Sequence, residues 1–354
     1  MAESFKTKQA EILKEIKNSY KKRRLIPFVG AGFSKNIEGY PTWGGFIKIL
    51  CDDLKKDGVD IDPVQERRFK NNPLEATEYY IRSKGKKEEQ NPSSIYSGTA
   101  FERGKRVLLK NLNDLFCNHV YKENKWNLHN TLMSKKKFKV VYTTNWDNTL
   151  EQANDKKLTP IFKVDQFKSI IGSSSIPRVI KFHGHFEYND GAVSLIACET
   201  DYMKRISEEN PFDIKFKNDL LHNDFLFIGY SFSDPNVKLV LYEIKEILTD
   251  VHATHKPNIY WISANYIDKE RVNLVSQMFD DIIKPYFLLT EKQETKLKNY
   301  ENKIKKQCCS CSFYWECDNT KCRKYKNREN LIKKLEPQEK QYIKLQLKKF
   351  LDKF

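Results

Sequence analysis

The spacing of apolar residues predicts a helix and then a buried strand at the start of the chain. Between residues 3 and 20 the apolar positions recur at helical intervals, which gives one face that can pack on a core. The run from Leu25 to Val29 is apolar on both sides and ends at a glycine pair, as expected of a strand covered on two faces. A second helical stripe follows Pro41 and stops at Gly58, a residue type common at helix ends.

The following residues alternate between helical and strand patterns. Residues 60–138 predict a mostly helical insertion, with the polar stretch from Ser83 to Thr99 as a loop. Apolar runs typical of buried strands are Val140–Thr144, Val179–His183, Phe225–Tyr230 and Asn258–Ser263, and Ile282–Leu289 predicts an edge strand despite Pro285. This alternation predicts an α/β fold with a doubly wound, mainly parallel, Rossmann-like sheet.

The composition changes near residue 290, where lysine, cysteine and polar residues become frequent. We therefore expect an α/β domain over residues 1–290 and a basic, mostly helical C-terminal extension over residues 291–354. Apolar residues among the lysines between Ile332 and Phe350 predict helices that dock either on the core or on another subunit.

Cysteines cluster in this extension and raise the question of a metal. The candidate zinc ligands are Cys308, Cys311, Cys317 and Cys322. Only one pair has the two-residue spacing that is usual in zinc sites, so reduced cysteines in a loop are the simpler interpretation.

The charge and hydropathy of the sequence indicate which partners and which location in the cell are compatible with it. The net charge of +16 fits a nucleic acid partner, an acidic protein partner, or a solvated surface with no partner. No apolar run approaches the roughly 20 residues that cross a bilayer, and the charged N-terminus lacks the apolar core of a signal peptide. We expect a cytoplasmic protein that does not contact a membrane.

Small, polar and titratable residues follow the predicted strands. Since ligands of open α/β sheets bind beyond the carboxyl ends of the strands, these residues predict a binding site at one edge of the sheet. They are Gly30, Ala31, Gly32 and Ser34 after the first strand, Thr144, Asn145 and Asp147 after the second, His183 after the third, and Gly229 and Ser231 after the fourth.

Each of these motifs also has a structural interpretation. The glycine loop either approaches a pyrophosphate or makes a tight turn, and Lys35 replaces the third glycine of the usual dinucleotide motif. Asp147 or Thr144 either binds a ribose or caps the next helix, and Ser34 and Ser231 carry the same ambiguity. His183 is either a general base or a buried histidine bonded to backbone, and His185 is close enough in sequence to share its role.

Taken together and in this order, the motifs resemble those of the sirtuin family. Sirtuins carry a Gly-Ala-Gly-x-Ser loop, a Thr-Gln-Asn-x-Asp segment, a His-Gly pair and a Gly-x-Ser. Here the corresponding segments are Gly30–Ser34, Thr143–Asp147 with one change, His183-Gly184 and Gly229–Ser231. The resemblance runs from about residue 22 to residue 265, and four ordered motifs are more specific than any one of them.

The departures favour a divergent, sirtuin-like branch found in bacterial antiviral defence. Deacylating sirtuins follow the first loop with Gly-Ile-Pro-Asp-Phe-Arg, whereas this chain has Gly39-Tyr-Pro-Thr-Trp43. They also carry two Cys-x-x-Cys pairs that bind zinc, whereas only Cys198 lies between His183 and Gly229. The resemblance therefore implies an NAD hydrolase that releases nicotinamide and ADP-ribose and depletes NAD in abortive infection.

The resemblance also implies roles and partners. His183 would be the base, Asn145 would position the nucleophile, and Asp147 would hold the nicotinamide ribose. Gly30, Ala31, Gly32 and Ser34 would bind the pyrophosphate of NAD, and Gly229 and Ser231 would lie on its adenosine side. Thr144 would also contact NAD. A homo-oligomer and a separately encoded ATPase are expected by analogy. The alternatives are an NAD-dependent protein deacylase and a non-catalytic module that senses nucleotides or binds nucleic acid.

Overall fold

The fold is built on one parallel sheet. A computed structural model describes residues 2–35, 37, 43–117, 127–153, 158, 160–170, 177–185, 195–208, 210–250, 256–263, 269–279, 282–289 and 343–354. Its strands are β1 Leu25–Val29, β2 Val140–Thr143, β3 Arg178–Lys181, β4 Asp224–Ile228, β5 Ile259–Ser263 and β6 Ile283–Phe287. They pair in the order β3-β2-β1-β4-β5-β6, all in parallel. This is the order of the doubly wound dinucleotide-binding sheet, so the predicted fold class is confirmed.

Helices cover both faces of the sheet, and a further group of helices forms a core of its own. Those before β2 are α1 Ala2–Lys21, α2 Ala31–Ser34, α3 Trp43–Lys56, α4 Pro63–Asn71, α5 Pro73–Glu89, α6 Ala100–Cys117 and α7 Asn127–Met133. Those after it are α8 Thr149–Gln152, a 3₁₀ helix Val164–Ile170, α9 Glu199–Ser207, α10 Pro211–His222, α11 Pro235–Asp250 and α12 Lys269–Met278. Residues 343–351 form a further helix near the C-terminus.

Successive strand residues point to opposite faces, so each strand contributes to two cores. Phe28 and Phe227 pack on one face with α10, α11 and α12. Val29 and Ile228 pack on the other face with α1, α7 and the helix 343–351. This geometry explains why the strands are apolar without alternation. A third core lies among the helices α3, α4, α5 and α6. It also includes Trp146, which follows β2.

The predicted edge strand is confirmed as β6, and both edges of the sheet carry hydrogen-bonded neighbours. Gln9 of α1 donates to the carbonyl of Pro285 at 3.1 Å and accepts from the N–H of Phe287 at 2.8 Å. The hydroxyl of Ser276 donates to the carbonyl of Ile283 at 2.7 Å. At the opposite edge, Ile161 forms an isolated parallel bridge with Ile180 of β3. Pro285 fits at this edge because no further strand of the described residues pairs with β6, so its missing N–H costs no hydrogen bond of the sheet.

The predicted loop from Ser83 to Thr99 is wrong in its first half, because α5 continues to Glu89. Lysine and glutamate are strong helix formers, and a polar sequence does not by itself end a helix. Lys84 is buried and pairs with Asp53 and Asp57 of the α3 region at 2.7 and 2.6 Å. Gly85 lets α5 approach α6 so closely that an added Cβ would lie 1.8 Å from the carbonyl oxygen of Ala100.

The end of the chain docks on the core. Leu347, Phe350 and Leu351 are buried in the same cluster as α1, and the rings of Tyr20 and Phe354 lie 5.4 Å apart. Of the two expected docking modes, the described part of the extension therefore shows the intramolecular one. The candidate zinc ligands Cys308, Cys311, Cys317 and Cys322 lie outside the described residues. None of the described helices has the length and apolar character needed to span a membrane.

Candidate active site

Two loops from the central strands interlock at the carboxyl edge of the sheet. The N–H groups of Gly30 and Gly32 donate to the carbonyls of Ile228 and Gly229 at 3.0 and 2.8 Å. A Cβ at Gly30 or Gly32 would lie 2.5 or 2.7 Å from the Gly229 oxygen, so both glycines are required by the close approach of backbone. These two N–H groups are thus occupied within the protein, which supports the tight-turn interpretation of the glycines.

Asn145, Asp147 and Ser34 form a buried polar network between the loops after β1 and β2. The Asn145 amide nitrogen donates to the hydroxyl of Ser34 at 3.1 Å and to the carbonyl of Gly30 at 3.2 Å. The Ser34 hydroxyl donates to Oδ2 of Asp147 at 3.1 Å. These bonds fix the amide orientation, which leaves Oδ1 of Asn145 as a buried acceptor without a partner among the described residues.

Asp147 serves the polar network and the next helix at once. Its Oδ1 accepts from the N–H of Thr149 at 3.0 Å and also from the Thr149 hydroxyl. The N-cap residue of α8 is Asn148, so Asp147 bonds the first helical residue from one position earlier, while its other oxygen binds Ser34. Ser34 and Ser231 do not act as helix caps in the described structure: Ser34 bonds the network, and the Ser231 hydroxyl lies 2.7 Å from that of Ser233.

A buried lysine supports the Asn145–Asp147 loop from below. Lys181, at the end of β3, is 1% exposed and contacts the carbonyl of Asn145 at 3.3 Å and that of Asp147. Its ammonium lies 2.7 Å from the carboxylate of Glu151, which is also buried. Burial raises the pKa of Glu151, and the Lys181 charge opposes that shift. An ammonium that binds two loop carbonyls restrains the backbone on which Asn145 is mounted.

His183 is buried at the end of β3, and the structure separates it from His185. Nε2 of His183 lies 3.1 Å from Oδ2 of Asp234, so its neighbour is a carboxylate and not the backbone. Desolvation lowers the pKa of His183 to about 4, although the Asp234 charge acts in the opposite direction. The imidazole is therefore neutral at physiological pH and able to accept a proton. His185, by contrast, bonds the backbone at Trp146, and desolvation lowers its pKa to about 3 although that bond acts in the opposite direction.

These residues meet at one cleft of about 850 Å³, a volume typical of small-molecule sites. Nine of the predicted site residues line it: Ala31, Gly32, Ser34, Thr144, Asn145, Asp147, His183, Gly229 and Ser231. Gly30 lies behind the lining and takes part through its carbonyl. His185 is not among the lining residues.

The walls of the cleft come from parts of the chain that the motifs did not indicate. Asn72, Pro73 and Leu74 line it from the helical insertion, and Ile343 and Leu347 line it from the C-terminal helix. Sequence reasoning also missed the buried ion pair of Lys181 and Glu151. Its one signal is a lysine inside an otherwise apolar strand run.

The sheet order and the cleft at the crossover between β1 and β4 define a Rossmann-like α/β domain with a cleft where such sheets bind their ligands. Comparison with known families gives a match within this fold class. Residues 139–301 match the SIR2-like domain family. The matched range includes Asn145, His183 and Gly229; the glycine loop after β1 precedes it.

Three curated relatives illustrate the similarity. The NAD(+) hydrolase ThsA of Cytobacillus dafuensis is 22% identical over 244 residues, which are 68% of this chain and 42% of the relative. The NAD(+) hydrolase ThsA of Enterococcus faecium is 23% identical over 273 residues, 74% of this chain and 50% of the relative. Defense-associated sirtuin 2 of Bacillus subtilis is 23% identical over 251 residues, 70% of this chain and 22% of the relative. The chain thus aligns with half or less of the length of each.

Proposed function

We propose that this protein hydrolyses NAD to nicotinamide and ADP-ribose and acts as an NAD-depleting effector in antiphage defence. One observation carries the proposal. A neutral imidazole, that of His183, and a buried amide oxygen, Oδ1 of Asn145, line the same cleft at the crossover of a Rossmann-like sheet, and this oxygen has no partner among the described residues. The names of the relatives, NAD(+) hydrolase and defense-associated sirtuin, support the substrate and the setting.

The bond that breaks explains why these groups are suitable. When the glycosidic bond of NAD breaks, nicotinamide keeps the electron pair and leaves as a neutral base, so no acid is needed for the leaving group. The ribose becomes oxocarbenium-like and must be captured by water. A base that takes one proton from that water, and an acceptor that orients the other, lower the barrier to this attack.

Under this proposal the residues act in catalysis, in holding the Asn145 amide and in binding the dinucleotide. Asn145 Oδ1 accepts a hydrogen bond from the attacking water, and His183 takes its proton. Asp147 and Ser34 hold the Asn145 amide, and the Asp147 carboxylate still has acceptor sites for a ribose hydroxyl. Ala31, Gly32 and Thr144 contact the dinucleotide between the two central strands, while Gly229 and Ser231 contact its adenosine side.

The decisive experiment measures nicotinamide and ADP-ribose after incubation of the purified full chain with NAD. His183→Ala and Asn145→Ala should each lower kcat by about 10²- to 10⁴-fold, the usual contribution of base catalysis. Both variants should keep the wild-type circular dichroism spectrum. Suitable controls are His222→Ala and Asn218→Ala, which remove the same side-chain types from the exposed surface of α10.

Two results would contradict the proposal. One is a wild-type protein that neither binds NAD nor releases nicotinamide. The other is undiminished turnover in both cleft variants. An acyl-lysine peptide added to the same assay separates the deacylase alternative, since a deacylase would release nicotinamide only together with deacylated peptide.

The setting of the activity is part of the same proposal. An enzyme that drains NAD acts in the cytoplasm and must be silent until infection, so we propose control by homo-oligomer formation or by a separately encoded ATPase. Binding of nucleic acid to the basic surface is the further candidate trigger. Light scattering, with and without added DNA, measures both the subunit number and the nucleic acid contact.

A further inference from the structure

A carboxylate outside the predicted set of site residues lies against the imidazole of His183. Oδ2 of Asp234 is 3.1 Å from Nε2 of His183. The same oxygen accepts a hydrogen bond of 3.3 Å from the hydroxyl of Tyr202. The ring of Tyr202 meets that of His183 edge to face, with centroids 5.5 Å apart. All three side chains line the cleft.

The other oxygen of Asp234 fixes the carboxylate to the fold. Oδ1 accepts from the N–H groups of Asn236 and Val237 at 2.9 and 3.3 Å, at the first turn of α11. Asp234 is therefore held by a helix end on one side and faces His183 on the other. Although Nε2 and Oδ2 lie 3.1 Å apart, they do not meet the geometry of a hydrogen bond. Such contacts commonly tighten when substrate binds.

Among the described residues, Asp234 is the anionic side chain that directly contacts the His183 ring. The other charged groups nearby are paired with one another. Arg205 lies over the ring of Phe182 at 4.1 Å and donates to the Phe182 carbonyl at 2.5 Å. It is neutralised by Asp213, which it binds through two nitrogens at 3.1 and 2.5 Å. Burial and the nearby Asp234 charge raise the pKa of Tyr202, so its hydroxyl stays protonated and donates.

We propose that Asp234 is a positioning residue for His183 in NAD hydrolysis, with Tyr202 holding its carboxylate. A carboxylate beside one ring nitrogen keeps the proton on that nitrogen and stabilises the imidazolium that forms. Nε2 then carries the proton, and the other ring nitrogen accepts a proton from the water whose oxygen bonds the ribose carbon. This inference rests on the proposed function and adds a residue to it.

Two substitutions separate this role from helix capping. Asn and Ser both cap helices about as well as Asp, so Asp234→Asn and Asp234→Ser keep the acceptor for α11 but remove the carboxylate from His183. We expect both to lower kcat for nicotinamide release by about a hundredfold or more, with the Kd for NAD changed little. A matched control is Asp219→Asn: Asp219 is buried and accepts 2.7 Å from the Tyr142 hydroxyl, but it lies on α10 outside the cleft lining.

A second readout does not depend on turnover. Nitrogen-15 spectra of the seven histidines, with His183 assigned by its absence in His183→Gln, report which ring nitrogen is protonated at neutral pH. We expect the proton on Nε2 in the wild type and in Asp219→Asn. In Asp234→Asn it should move to Nδ1, because the new amide donates towards Nε2.

The outcomes are distinguishable. Folded Asp234→Asn and Asp234→Ser variants with wild-type turnover and an unchanged His183 spectrum would show that Asp234 only caps α11. A wild-type protein that releases no nicotinamide would instead overturn the proposed function. In that case the tautomer measurement would still decide whether Asp234 controls the protonation of His183.

Discussion

Ser34 and Asp147 lie 113 positions apart in the chain, yet the hydroxyl of one donates to the carboxylate of the other at 3.1 Å. The bond joins the loop after β1 to the loop after β2, which are neighbouring strands of the sheet. The same hydroxyl accepts from the amide of Asn145 at 3.1 Å. Ser34 is thus the residue through which the two loops fix the orientation of Asn145.

Ser34→Ala should therefore affect activity more than stability. The Asn145 amide keeps its bond to Gly30, so the loss of stability should be about 1 kcal/mol. We expect kcat/KM for NAD to fall about tenfold, which corresponds to about 1.4 kcal/mol of lost orientation. Steady-state kinetics and urea unfolding measure the two effects. Ser276→Ala removes a buried serine hydroxyl that does not line the cleft, so it should lose similar stability but keep wild-type kcat/KM.

The pH dependence of hydrolysis should reflect the buried imidazole. The base form of His183 exists above its pKa, which desolvation lowers to about 4, and is lost as the pH falls through that value. We therefore expect kcat/KM to stay level from about pH 8 down to about pH 5.5, where an ordinary histidine would already be half protonated or more. An acid limb with a midpoint near 6.5, in protein that remains folded, would contradict the assignment of His183 as this base.

Variants of the buried pair Lys181 and Glu151 allow its effect on stability to be measured apart from its effect on activity. Lys181→Met leaves the Glu151 carboxylate buried without its cation, and breaking such a pair should cost about 3–5 kcal/mol. Adding Glu151→Leu should restore much of that stability, since apolar replacements of buried pairs are often neutral. The double variant should nevertheless hydrolyse NAD slowly, because the carbonyls of Asn145 and Asp147 have lost their donor. Wild-type kcat in the stable double variant would show that the lysine acts on stability alone.

Gly229 should not tolerate a side chain. Its φ of +64° is in the left-handed region, and a Cβ there would lie 2.2 Å from the backbone nitrogen of Phe33. Gly229→Ala should be destabilised by the roughly 1–2 kcal/mol that the left-handed conformation costs a residue with a Cβ. The steric clash should lower its stability further. Gly44→Ala is the matched control, because nothing lies within 4 Å of its added Cβ, and it should gain roughly 0.5–1 kcal/mol. Thermal unfolding of both variants compares the two positions directly.

The sheet could be predicted because each strand is covered on both faces and ends at a glycine or polar motif. The parallel arrangement then places those strand ends together, which is why Asn145 and His183 share a cleft although their separation in sequence says nothing of it. The helix α5 was harder to predict. Its last residues are charged, and only the tertiary pairing of Lys84 with Asp53 and Asp57 shows that one of them is buried.

Other parts of the site depend on contacts that no local pattern encodes. Asp234 follows β4 closely in sequence, but its contact with His183 arises only in the folded chain. The helix 343–351 shows an apolar stripe in the sequence, yet the stripe does not reveal that Ile343 and Leu347 turn towards the cleft. The choice of docking surface is a property of the assembled core.

The protected borders of the sheet constrain how copies of this chain can associate. A free strand border attracts other strands and invites fibrous aggregation. Here the Gln9 side chain bonds the carbonyl of Pro285 and the N–H of Phe287 at one edge of the sheet. At the other edge, Ile161 forms a β-bridge with Ile180. Within the described residues, a complex that preserves this fold would therefore have to form through helical or loop surfaces. Substitution of Gln9 would reopen a route to continuous intermolecular sheets.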